Sequence, residues 1–150
     1  MTTAEPAKPE RRQRTVQLID ELQQERQDLW SLYCQLCDLK PFADSEPVKA
    51  KLAQFAEVLV DYVSLGHFGL YERILSGTER RGSVMTFATD IYPEFSEVTE
   101  LSIAFNDKYE QADHDAAADL ATLADDLSAL GESLAKRFEL EDLLCALMRR

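Results

Sequence analysis

Two cysteines three positions apart, Cys34 and Cys37, are the residues of this chain whose spacing most directly suggests chemistry. A Cys-x-x-Cys pair is typical of redox centres and of half a zinc site, because its thiolates can form a disulfide or share a metal. Here the pair lies within an apolar stripe of helical period, without a second such pair or a βαβ pattern around it. We therefore interpret both cysteines as packing residues, and the odd total of three, with Cys145, indicates a reducing cytosol.

Histidines and carboxylates could hold two metal ions inside a helical bundle, where a glutamate precedes each of two histidines by three positions. Before His67 and His114 these positions are Ser64 and Gln111 instead. The serines have no Gly-x-Ser-x-Gly motif around them, and no glycine-rich loop could bind a phosphate. The sequence therefore predicts a protein without a metal, a cofactor or catalytic residues, and so not an enzyme.

The acid Asp61 stands among apolar residues, close to Val60 and Val63. A carboxylate in such surroundings is costly unless it is paired with a cation or lies at the edge of a binding surface. One interpretation is an internal ion pair with Arg26 or Arg137. The other is a carboxylate that accepts an arginine from a partner protein.

The segment after Gly66 begins with His67, which could bond to the last carbonyls of the preceding helix or lie at or just behind a partner surface. Phe68 and Tyr71 are three positions apart and share a face if the segment is helical. Core packing would explain this aromatic pair. An interface would explain it equally well, because aromatic residues are enriched at the centre of binding surfaces.

Apolar residues recur with a helical period along most of the chain, and no segment alternates as a strand does. The predicted helices run over residues 15–40, from about 48 to 66, from 67 to 75, from about 83 with a kink or restart at 93, and from 113 onward. Glycine 66 is a plausible carboxyl-terminal cap of the second helix. Residues 1–14 are predicted to be a disordered tail, and residues 15–150 a single all-α domain. Its expected architecture is a helical bundle of four long helices with one or two short extra helices.

The net charge of −12 is concentrated in one stretch, since residues 90–126 carry eleven acids and a single base, Lys108. Such a surface repels nucleic acid phosphates and attracts a basic protein, although acidic faces also serve solubility alone. The sequence contains no run of 18 apolar residues, which is about the length that a helix needs to span a bilayer. We expect a soluble cytoplasmic protein that binds neither nucleic acid nor membrane.

The run from Leu59 to Glu72 resembles the regulator of sigma D family, also called the Rsd/AlgQ family. Its hallmark reads Leu-Val-Asp-Tyr-x-Ser-x-Gly-His-aromatic-x-x-Tyr-Glu, and this chain fits it without a gap. The resemblance extends over almost the whole chain beyond the first dozen residues. It continues at Leu18-Ile19-Asp20, Glu25-Arg26, Ile91-Tyr92-Pro93, Asp113-His114-Asp115 and residues 137–142.

The resemblance implies an anti-sigma factor that binds the primary sigma factor of bacterial RNA polymerase, as a monomer in a one-to-one complex. The part bound by this family is the carboxyl-terminal, promoter-reading domain, so use of the primary sigma factor would fall in stationary cells. The expected partner-binding residues are Asp61, His67, Phe68, Tyr71 and Glu72. The expected supporting polar cluster consists of Asp20, Arg26, Arg137 and Glu141. The alternative is a helical small-ligand sensor or enzyme, with Asp20, Arg26, Asp61 and His67 around a polar pocket.

Overall fold

The computed structural model describes residues 8–43, 45–71, 74, 81–110 and 116–149. Helix α1 spans Lys8–Cys37, and α2 spans Glu46–Ser64 and passes directly into a π-helical segment, Leu65–Tyr71. Helix α3 spans Gly82–Glu110 and α4 spans Ala116–Arg149. The described residues contain no strand, so the predicted all-α class and the bundle of four long helices are confirmed.

Residues 8–14 belong to α1, so the prediction of a disordered tail over residues 1–14 is wrong for that part. Pro9 lies in the first turn, where the missing N–H has no helical partner to lose, and Glu10 to Arg14 are mostly strong helix formers. Apolar periodicity does not detect this extension, because residues 8–14 include no apolar periodic position. Residues 1–7 lie outside the described part of the chain.

The helices pack in the order of the sequence, and α4 packs back against α1 to close the bundle. Helix α2 supplies several of the largest buried side chains, including Phe55, Leu59 and Tyr62. Helix α3 runs through Pro93 as one helix, so the alternative of a restart at this proline is not realised. Helices α2 and α4 are therefore diagonal in the bundle, and they meet through side chains in the core, where Tyr62 of α2 reaches Glu141 of α4.

Helices α1 and α4 approach closely where Tyr33 meets Gly131. The Tyr33 hydroxyl donates to the Leu127 carbonyl at 2.7 Å, and the Tyr33 ring stacks on Trp30 with centroids 4.8 Å apart. A Cβ on Gly131 would occupy the space of the Tyr33 hydroxyl. Glycine is therefore required at position 131 by the approach of the two helices.

We expect Gly131→Ala to lower the free energy of unfolding by about 1–2 kcal/mol, because overpacking this contact outweighs the gain in helix propensity. Gly82→Ala is the matched control, since no atom lies within 4 Å of a Cβ built there. Thermal melts followed by circular dichroism measure the difference. Equal melting temperatures for the two variants would contradict the close approach of α1 and α4.

Candidate partner-binding surface

The chain after Ser64 remains helical but widens into the π-helical segment Leu65–Tyr71. Leu65 keeps right-handed helical dihedrals, with φ −62° and ψ −43°, so the prediction that Gly66 ends α2 as a left-handed cap is wrong. Gly66 is needed for space instead, because a Cβ there would lie 2.6 Å from Nη2 of Arg137. Since π-helical turns are rare and frequently occur at functional sites, the segment is a candidate for one.

A buried ion pair lies next to Gly66. Arg137 and Glu141 are 0% and 1% exposed and occupy successive turns of α4, with Arg137 Nε 3.5 Å from Glu141 Oε2. The Tyr62 hydroxyl of α2 donates a short hydrogen bond to Glu141 Oε1. These contacts replace the water that both charges lose on burial, which is the condition for keeping an ion pair inside a protein.

The guanidinium of Arg137 also connects α4 to α3. Its Nη1 donates to Thr99 Oγ1 at 2.8 Å, and its carbon lies 3.7 Å from the centre of the Phe95 ring, a cation–π distance. Its Nη2 is buried and has no hydrogen-bond partner within the described part of the chain. A side chain at position 66 would strike this same nitrogen, so glycine lets the guanidinium lie against the π-helical segment.

Burial raises the pKa of the Glu141 carboxyl above its ordinary value, although Arg137 and the Tyr62 hydroxyl oppose the rise. Burial also raises the pKa of the Tyr62 phenol well above its ordinary value, and the neighbouring Glu141 carboxylate raises it further. The phenol therefore stays protonated at neutral pH and acts as a hydrogen-bond donor to Glu141.

Three of the four residues predicted to form the supporting polar cluster, those at positions 26, 137 and 141, come together. Arg26 of α1 donates to Asp142 Oδ1 at 2.7 Å and lies 3.9 Å from Glu141 Oε1. Asp20 does not join them, because it lies on the surface and accepts a hydrogen bond from Arg149 at 3.2 Å. Its assignment to the cluster is wrong: the surface arginine near the end of α4 competes for this carboxylate.

Asp61 is exposed on the outer side of α2. The internal ion pair is not formed, since Arg26 is paired with Asp142 and Arg137 with Glu141. Among the described residues, Asp61 takes part in no ion pair at all. With Asp61 on the surface and Asp20 beside Arg149, the four residues named for the sensor or enzyme alternative do not line one interior pocket.

The surroundings of Asp61 on the α1 side are negative. The pKa of Glu25 on α1 is raised, first by partial burial and then by the charges of Asp61, Asp28 and Glu21. The sequence analysis did not assign a role to Glu25, although it lies in a stretch that resembles the family. Its position extends the negative surface from α2 onto α1.

His67 and Phe68 lie together at the surface of the π-helical segment. Phe68 is 62% exposed and meets the His67 ring edge-to-face, with centroids 5.0 Å apart. Tyr92 of α3, 36% exposed, lies 6.3 Å from the His67 ring. His67 is half-buried, and its Nδ1 has no hydrogen-bond partner within the described residues. Tyr92 was not among the predicted partner-binding residues, but the stretch around it carries the family resemblance.

Tyr71 does not share the exposed face of Phe68. It is 1% exposed, and its hydroxyl donates to the Ala88 carbonyl at 3.1 Å, so its assignment to the partner-binding surface is wrong. The reason is the wider π-helical turn, which places residues three positions apart on different faces, whereas an α-helix would align them. The predicted partner-binding residue Glu72 lies outside the described residues.

The three cysteines differ in their exposure to solvent. Cys145 is buried and Cys37 half-buried, as packing residues would be, but Cys34 is exposed, so its interpretation as a packing residue is wrong. Within the described ranges, no three side chains of His, Cys, Asp or Glu are arranged to hold a metal ion. None of the described helices combines the length and apolar character needed to cross a bilayer.

We expect Arg137→Met to lower the free energy of unfolding by about 3–5 kcal/mol, because the buried Glu141 carboxylate loses its nearest cation. Only Arg26, 3.9 Å away, then remains close to it. Replacing both Arg137 and Glu141 with methionine should recover most of this loss, since neither charge is then buried. Lys136→Met is the control, because Lys136 pairs with Glu94 at 3.4 Å on the exposed surface, where such pairs contribute about 0–1 kcal/mol. Similar melting temperatures for the two single variants would rule out a structural role for the buried pair.

The family model described as "Regulator of RNA polymerase sigma(70) subunit, Rsd/AlgQ" matches residues 1–149. The regulator of sigma D of Yersinia enterocolitica is 36% identical over 133 residues, covering 85% of this chain and 78% of that protein. The regulator of sigma D of Salmonella arizonae is 34% identical over 135 residues, covering 87% of this chain and 81% of that protein. No solved structure is significantly similar to the chain. From the family match and these relatives, the chain belongs to the Rsd/AlgQ family of regulators of the RNA polymerase sigma(70) subunit.

Proposed function

We propose that this protein is an anti-sigma factor that binds the carboxyl-terminal, promoter-reading domain of the primary sigma factor and lowers its use by RNA polymerase. The observation that carries the proposal is the exposed Asp61 carboxylate, which lies in the run from Leu59 to Glu72 that resembles the family. Arg26 and Arg137 do not neutralise it, because they pair with Asp142 and Glu141. A carboxylate left in this state can accept a cation from a partner without breaking an ion pair among the described residues.

The charges around Asp61 support a basic partner. Glu25 is harder to ionise than an ordinary glutamate partly because Asp61, Asp28 and Glu21 are close enough to repel its charge. A cation brought by a partner relieves this repulsion. The free protein therefore holds negative potential on its α1–α2 surface that only the complex neutralises.

The aromatic residues of the π-helical segment support an apolar part of the same interface. Phe68 leaves most of its ring in water, and burial of a phenylalanine side chain contributes about 1.5–3 kcal/mol. The adjacent His67 ring contacts Phe68 from one side and would lie at the edge of this apolar contact. Large aromatic side chains are favourable anchors at the centre of an interface, so Phe68 would supply an apolar contact that Asp61 cannot.

The proposed mechanism requires binding and no covalent step. A promoter-reading domain presents basic residues to DNA phosphates. The carboxylates of this protein bind those basic residues in place of the phosphates. Phe68 and its neighbours cover an apolar surface of the same domain. A one-to-one complex of monomers in the cytoplasm then withdraws the primary sigma factor from core polymerase, which favours alternative sigma factors in slow-growing or stationary cells.

We expect Asp61→Ala to weaken binding to the sigma domain by about 2–5 kcal/mol, because it leaves a partner arginine unpaired in the complex. The free energy of unfolding should change by no more than about 0.5 kcal/mol, since Asp61 is exposed. Titration calorimetry and thermal melts measure the two quantities, with Glu132→Ala, on the exposed surface of α4 and outside the acidic stretch of residues 90–126, as the control. A large fall in melting temperature with intact affinity in the folded fraction would instead assign Asp61 to the fold.

A second expectation concerns the acidic stretch of residues 90–126. Its single base, Lys108, is paired with Asp126 at 2.7 Å. The other ten acids have no base within the stretch, so it produces a negative electrostatic potential. The association rate with the sigma domain should fall steeply as salt rises through about 0.1–0.15 M, where the screening length is about 8–10 Å. Stopped-flow kinetics measure this rate, and the dissociation rate should change much less. An association rate independent of salt would limit these acids to a role in solubility.

A further inference from the structure

A groove runs along the surface between α2 and α3 and has a volume of about 380 Å³. Ala53, Ala56 and Val60 give it a small apolar lining on the α2 side. Glu57 and Asp61, one helical turn apart on α2, line the same groove and are both exposed. The groove thus combines an apolar wall with two carboxylates along one edge.

Tyr109 lines the groove from α3, and α4 holds it in place. Its hydroxyl donates to Asp126 Oδ2, and Lys108 is bonded to the same oxygen at 2.7 Å and to Thr122 Oγ1 at 2.8 Å. The α3 wall is therefore positioned before any partner arrives. The ammonium of Lys108 is directed to α4 by these bonds and does not neutralise the two carboxylates of α2.

We propose that this groove receives one arginine side chain from a basic helix of the sigma domain. The aliphatic stem would lie on the small apolar residues of α2, and the guanidinium would lie between Glu57 and Asp61. The inference rests on the proposed function, which supplies the partner, and it names the part of the partner that this surface recognises.

Charge and shape both favour this occupant. Carboxylates four positions apart on a helix repel each other, and a cation between them removes the repulsion. Arginine side chains bury their aliphatic stems readily while the charged end stays near polar groups. The planar guanidinium offers five donors in a fork that can bond two carboxylates at once, whereas a lysine ammonium acts as a compact point charge.

Filling the groove tests the inference directly. Ala53 is exposed, so Ala53→Trp should block the groove without disturbing the core, and Ala129→Trp on the exposed surface of α4 is the matched control. We expect Ala53→Trp to weaken binding to the purified sigma domain by about tenfold or more, with a melting temperature equal to that of the control. Affinity equal to that of the unsubstituted protein would overturn the inference and leave the proposed function standing.

The identity of the occupant is tested by pairing variants of both proteins. Glu57→Gln and Asp61→Asn are each combined with alanine substitutions of single arginines in the sigma domain, and Glu132→Gln, on the exposed surface of α4 and outside the acidic stretch of residues 90–126, is the control. We expect one arginine to couple with both groove positions by roughly fivefold or more, and with position 132 not at all. If no arginine couples with both, the inference is overturned.

Two further results would count against the groove as the site of an arginine. Coupling to a lysine alone would show that the fork geometry is not used. A change in the sedimentation coefficient of free Ala53→Trp, with unchanged affinity for sigma, would show that a second copy of this chain occupies the groove. Absence of any binding between the unsubstituted protein and sigma would overturn the proposed function together with this inference.

Discussion

The buried pair of Arg137 and Glu141 is the interaction on which the arrangement of the helices depends. Both residues belong to α4, yet their contacts reach Tyr62 on α2, Thr99 on α3 and Arg26 on α1. An enclosed charge tolerates little displacement, because any shift of a neighbouring helix leaves it without its partners. The pair therefore sets how the four helices lie relative to one another, while apolar burial supplies most of the stability.

The same pair determines which side of α2 faces the interior. Tyr62 points inward to Glu141, and its neighbour Asp61 is turned about a quarter of the way around the helix, onto the surface. Because Arg137 and Arg26 are held by acids of α4, neither reaches Asp61. Both arginines are thus engaged by acids of α4, and neither neutralises the acids on the outer surface of α1 and α2. Gly66 contributes to both sides, since it admits Arg137 within and lies in the π-helical segment that presents Phe68 outside.

Sequence reasoning succeeds here where a pattern has one physical cause and fails where two causes compete. The helical period predicts the long helices because it records burial, but it does not detect the polar turns from Lys8 to Arg14. Arg26 and Glu141 could be placed in one cluster because both stand in stretches that resemble the family. Asp20 could not be assigned correctly, since any nearby cation would satisfy an exposed acid and Arg149 is the one that does. The assignment of Tyr71 to the surface was wrong for another reason, because the apolar pattern of the sequence does not distinguish a π-helical turn from an α-helical one. The role of Glu72 stays a prediction.

The solvent-exposed Phe68 ring could promote self-association, because two copies of the protein can bury such rings against each other. Its net charge of −12 opposes such encounters, since two copies approach each other as strongly like-charged bodies. A basic domain meets no such barrier. The acidic surface thus has a colloidal role: like charges keep copies of the protein apart while the Phe68 ring stays exposed.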